Sequence, residues 1–115
     1  MKIRTDYVTN SSSTVFVIKN KTDERLTIVD FIKENPQLID EFNEQYPWHE
    51  FTYEQVLKDA QARVDSGNEP SFPSRPVERQ YGDEDGDSVG HILDYILRDG
   101  GSSKSFTWRF ERYNR

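Results

Sequence analysis

Three aspartates alternate at Asp83, Asp85 and Asp87, and Asp94 stands at the twelfth position counted from the first of them. A calcium loop offers its leading oxygen ligands at this spacing. Such a loop also needs glycine at its sixth position and normally glutamate at its twelfth, where this chain has Ser88 and Asp94. The pattern therefore reads as an acidic turn whose last carboxylate caps a helix and complements its dipole. His91 lies three residues before Asp94, so a helix would set both on one face. Together with a serine from the N-terminal run they would supply the parts of a hydrolase triad. A nucleophilic serine must be held against its base with oxyanion donors beside it, and the chain has no G-x-S-x-G elbow, phosphate loop or dinucleotide fingerprint. The other histidine, His49, sits in Tyr46-Pro47-Trp48-His49, read as a clamp at a helix junction. Two histidines and no cysteine leave metal ligands scarce. Neither catalytic residues nor a cofactor or metal are expected, and a hydrolase using His91 and Asp94 ranks third among the functions weighed.

Binding chemistry is better represented. Thr9-Asn10-Ser11-Ser12-Ser13-Thr14 is a run of hydroxyl and amide side chains that cannot bury apolar surface. It should stay solvated or fold on a partner. Near the other end, Trp108-Arg109-Phe110-Glu111-Arg112-Tyr113 mixes aromatics with arginines, the composition that stacks bases and holds phosphates. Strand alternation, however, sends Phe106, Trp108 and Phe110 to one face, toward a core, and leaves Arg109 and Tyr113 on the other with Glu111 between them.

The residues Lys2-Ile3-Arg4, Val8-Thr9-Asn10-Ser11-Ser12-Ser13 and Phe16-Val17-Ile18 resemble an N-terminal signature on many small uncharacterised bacterial and phage proteins. In that signature an unbroken serine run usually leads into Phe, and here Thr14-Val15 stands between them. The resemblance covers Met1–Ile18 and implies a phage or other mobile-element source, with no fold or activity attached.

A length of 115 residues is enough for one domain. Hydrophobic residues make up 33% and charged residues 31%, a lean supply that the 13% of aromatics offsets by burying large areas. The absence of cysteine excludes disulfides and thiolate zinc sites. No apolar run has the roughly 18 residues of a membrane span, and Thr9–Thr14 interrupts any signal-peptide core. A cytoplasmic protein without a membrane partner is expected. The net charge of −6 is unevenly spread: +2 over residues 1–25, −6 over 26–66, −5 over 67–99 and +3 over 100–115. Basic ends flank an acidic middle, which bears on partners, not on fold.

These residues need elements to position them. Thr14–Lys19 is β-branched and aromatic and reads as a strand. Ile28, Val29 and Ile32 mark a short helix over Leu26–Glu34. Asn35-Pro36 reads as N-cap and first position of a second helix with the stripe Leu38, Ile39, Phe42 and Tyr46. Thr52-Tyr53-Glu54-Gln55 fits a capping box opening a third helix through Val56, Leu57, Ala60 and Val64. Residues 67–87, with Pro70, Pro73 and Pro76 and an acidic glycine-containing end, read as a long loop. A fourth helix runs from Asp87 or Ser88 to Gly100-Gly101, and Ser105–Tyr113 alternates as a strand. Two strands make a marginal sheet, so a third is expected from residues 2–8 or 75–82.

The expected architecture is α+β: a flexible segment 1–13, then a single domain over 14–115. Its terminal strands pair in a short antiparallel sheet covered by about four helices. The expected function is binding to a protein partner, as adaptor, inhibitor or regulator, through Asn10, Ser11, Ser12, Ser13, Asp83, Asp85, Asp87 and Arg109. The alternative is a nucleic-acid-associated protein using its basic ends.

Overall fold

The computed structural model describes residues 13–82 and 85–114. Asn10, Ser11, Ser12 and Asp83, expected as contact residues, lie outside this range, as does segment 1–12. In chain order the elements are β1 (Ser13–Asn20), α1 (Ile28–Glu34), α2 (Gln37–Gln45), a 3-10 turn (Pro47–His49), α3 (Tyr53–Asp65), β2 (Pro76–Gly82), α4 (Ser88–Ile96), a second 3-10 turn (Leu97–Asp99), β3 (Gly101–Ser102) and β4 (Phe106–Asn114). The fold is α+β, with a four-stranded sheet in the order β2-β1-β4-β3 whose ladders are all antiparallel.

Alternation along β1 aims Thr14, Phe16, Ile18 and Asn20 at the helices, and all four are buried. In register, Ile18 lies between Val77 and Trp108, and Phe16 between Arg79 and Phe110. The helices cover this face. Phe31 of α1 fills its centre, with edge contacts to Phe106 at 5.0 Å and Trp108 at 5.3 Å; such pairs add to the area they bury. The aromatics of β4 do face inward, as its alternation requires. The opposite face carries exposed Lys19, Glu78, Gln80, Arg109 and Arg112.

Three readings are corrected. Ser13 is not part of a solvated segment: it opens β1, is buried, and its hydroxyl accepts from Gln80 Nε2 at 2.9 Å. Residues 67–87 are not one loop, because β2 occupies Pro76–Gly82, within the 75–82 stretch that is one of the two candidates for a third strand. Proline is tolerated there as the first residue of an edge strand. Asn35 closes α1 instead of opening α2: its backbone N–H reaches the carbonyls of Phe31 and Ile32, and its side-chain amide also donates to Phe31. Pro36 takes the cap position of α2.

The start of α4 packs against the end of β2 so closely that only glycine fits at position 90. A Cβ there would stand 2.5 Å from the Gly82 carbonyl oxygen and 2.7 Å from Asp85 Cβ. Alanine has the better helix propensity by about 1 kcal/mol, yet Gly90→Ala should destabilise by about 1–3 kcal/mol through overpacking. A urea melt checks this: a midpoint equal to or above that of the parent would contradict the packing argument.

Candidate functional site

The acidic turn is built around an arginine from the last turn of α3. Arg63 Nε and Nη2 donate to the two oxygens of Asp87 at 2.8 and 2.9 Å, and Nη2 also donates to Asp85 at 2.9 Å. Nη1 donates to Glu69 at 3.1 Å. Asp87 meanwhile caps α4 by accepting from the Gly90 N–H at 2.9 Å, as its sequence position implies. Burial works against the Arg63 charge, but hydrogen bonds with Asp87 and Asp85 outweigh it and raise the guanidinium pKa further. Asp85 and Asp87, expected as partner contacts, thus direct carboxylate oxygens at an internal cation. They line a cleft of about 380 Å³ with Arg63, Glu69 and Arg79. Among the described residues, no group of three or more His, Cys, Asp or Glu is arranged to hold a metal ion.

Glu69 extends this hub inward. Its other oxygen accepts from the Tyr81 hydroxyl at 3.0 Å and lies 3.3 Å from Arg79 Nε. Tyr81 is fully buried, and burial first, then the Glu69 charge, push its hydroxyl well above the ordinary value. The native state therefore keeps a proton that the unfolded chain releases near pH ~10. That stabilisation is complete below this pH and is lost as the pH climbs toward the folded pKa. Thermal melts from neutral to strongly alkaline pH should show wild type and Tyr81→Phe converging above about pH 10. A constant gap would contradict the assignment.

The carboxylate of Asp94, at 0% exposure, ties α4 to β1. Its Oδ1 accepts from Thr14 Oγ1 at 2.5 Å and from Arg98 Nη2 at 3.1 Å. His91 stacks on Phe51 at 5.9 Å. The serine that opens α4, Ser88, donates its hydroxyl to Asp59 at 2.6 Å. His91 and Asp94, the two groups weighed with a serine of the N-terminal run for a triad, thus have packing and anchoring roles. Arg109 is exposed and pairs with Glu111 at 2.6 Å, while Arg112 reaches diagonally to Glu78 at 3.2 Å.

A different constellation emerges on the helical side. Tyr46, at the end of α2, packs on Phe42 at 5.0 Å and on Tyr95 of α4 at 5.1 Å. Arg98 lies over the rings of Tyr95 at 4.9 Å and Tyr113 at 5.2 Å, and Tyr113 meets Phe110 at 5.0 Å. At the other end, Trp48 stands edge-on to Tyr46 at 6.0 Å. The result is a ladder, Trp48–Tyr46–Tyr95–Arg98–Tyr113–Phe110, crossing from the first 3-10 turn to β4. Trp48 is 76% exposed and Tyr113 48%. Within Tyr46-Pro47-Trp48-His49, read as a clamp at a helix junction, Tyr46 fills the inward slot and the Trp48 indole projects outward.

Comparison of the chain with protein-family models, curated proteins and solved structures finds no match. Among the described residues no helix is long and apolar enough to cross a membrane.

Proposed function

We propose that this chain is a protein-binding module, an adaptor, inhibitor or regulator, that docks its partner on the ladder headed by Trp48. The observation that carries this reading is the outward indole, 76% exposed at the end of a row of supported rings. Tryptophan, tyrosine and arginine dominate binding hot spots, because they bring large contact area with little side-chain entropy to lose. All three types alternate here on rigid elements. A nucleic acid would find the same rings inside an acidic surround, since residues 26–66 carry a net −6. The runner-up, nucleic-acid association through the basic ends, would use Lys19, Arg109 and Arg112 on the open sheet face. There the two arginines are already paired with Glu111 and Glu78.

Affinity capture from native lysate, with and without nuclease, tests the reading with wild type and Trp48→Ala. A protein retained by wild type through nuclease treatment and lost with Trp48→Ala is the expected result. Equal capture by both would overturn it. Recovery that needs nucleic acid and collapses steeply with salt would replace it with the runner-up.

A further inference from the structure

The charge around Trp48 is one-sided. Residues 35–57 hold five Asp/Glu and no Lys or Arg. All five carboxylates (Asp40, Glu41, Glu44, Glu50 and Glu54) are exposed, and none forms an ion pair within the described residues. Elsewhere several carboxylates have been given partners: Arg63 gathers Asp85 and Asp87, Arg98 takes Asp94, and Arg112 takes Glu78. The segment that presents the indole thus carries five exposed carboxylates with no lysine or arginine of its own to neutralise them.

The ladder also differs between its two ends. Toward β4, the chain's own Arg98 lies on Tyr95 and Tyr113. The same arrangement recurs where Arg63 lies over Tyr81 and Arg79 over Phe72. Tryptophan offers the most favourable ring face for a cation, yet the rings with cations over them among the described residues are those of Tyr81, Phe72, Tyr95 and Tyr113, not Trp48. Exposed Glu44 and Glu50 stand four residues before and two residues after the exposed Trp48, so a cation drawn to the ring is also drawn by carboxylates of the same short segment.

We infer that the partner segment received by Trp48 is cationic: a lysine- or arginine-bearing stretch of protein that sets a positive side chain on the indole and its neighbours against Glu44 and Glu50. This inference rests on the protein-binding reading above. An anionic segment is repelled by the same carboxylates, and a purely apolar one would leave them desolvated without partners.

The test uses the full chain with two probes, a short oligo-arginine peptide and an oligo-glutamate peptide of equal length, followed by two-dimensional NMR of the indole and backbone N–H groups. Oligo-arginine should move the Trp48 indole and the amides of residues 44–54 saturably and leave the buried Trp108 indole in place. Glu44→Lys combined with Glu50→Lys should weaken it at least about tenfold, since two attractions become repulsions. Trp48→Ala should weaken it by about 2- to 30-fold, the range of a cation–π contact. Oligo-glutamate should move neither indole. Shifts spread evenly over the acidic surface out to Asp65 and Asp99, or a Trp48 indole that does not respond, would overturn the inference. The lysate capture separates this failure from failure of the parent reading. A protein lost with Trp48→Ala but kept by the double lysine variant overturns the cationic partner alone, whereas one kept by both overturns docking at Trp48 itself.

Discussion

Arg63→Met is expected to destabilise the fold by about 3–5 kcal/mol, the range for removing one partner from a buried ionic cluster. For a domain of this size that is a fall in melting temperature of roughly 10–20 °C. The methionine keeps most of the side chain's length and apolar packing, so the loss is that of the guanidinium. Its side chain is 14% exposed, and three carboxylates, Glu69 from one connection and Asp85 and Asp87 from the acidic turn, converge on it. Without it Asp85 and Asp87 regain some water, because their side chains are 27% and 23% exposed. Glu69, at 6%, has no such relief and keeps only Arg79 and the Tyr81 hydroxyl. The hub also joins α3, the 66–75 connection, β2 and the start of α4, so its loss loosens the frame that holds the helices on the sheet.

A double-mutant cycle separates the two parts of that effect. If the orphaned Glu69 charge dominates, Glu69→Gln in the Arg63→Met background should recover about 1 kcal/mol or more relative to additivity. Arg63→Lys should recover less than half, because a single ammonium cannot reproduce the fork that meets Asp87 with two nitrogens. Full rescue by lysine, or strict additivity in the cycle, would mean that Arg63 acts chiefly through its aliphatic stem.

What the sequence made legible was local. Thr52 caps α3 through the Gln55 N–H, Asp87 caps α4, and Gly100 takes a positive φ of 74° after the second 3-10 turn, all from residues close in the chain. The terminal strands were readable because Phe106, Trp108 and Phe110 alternate with polar residues. Strand β2 was legible only as one of two candidates for a third strand, 75–82, because one of its inward positions is Arg79. Arginine can face inward there only because the carbonyls of Pro70 and Ser71 accept from its Nη2 and the Phe72 ring supports it at 4.9 Å. Those partners come from a connection whose path no local pattern fixes. The Arg63 hub was hidden for the same reason: its acceptors lie 6 to 24 residues away. Trp48 was visible as a residue but not as a surface. Its outward direction depends on Tyr46 winning the inward slot between Phe42 and Tyr95, a competition decided by packing from α4.

That competition sets the largest functional expectation. Trp48→Ala should weaken partner binding by about 2–4 kcal/mol, some 30- to 1000-fold, as truncation of a central aromatic anchor does. Stability should move by no more than about 0.5 kcal/mol, because the indole meets the body of the protein edge-on at Tyr46 and is otherwise solvated. Calorimetric titration of the captured partner together with a thermal melt reads both quantities. Trp48→Phe should keep part of the affinity, since a smaller ring still offers a flat apolar face. Tyr46→Ala is the informative contrast: its ring touches Phe42, Tyr95 and Trp48 at once, so stability and binding should fall together. If Trp48→Ala melted early as well, the indole would be part of the packing that holds α2 to α4. The exposed end of the ladder would then be a consequence of the fold and no longer evidence of a docking surface.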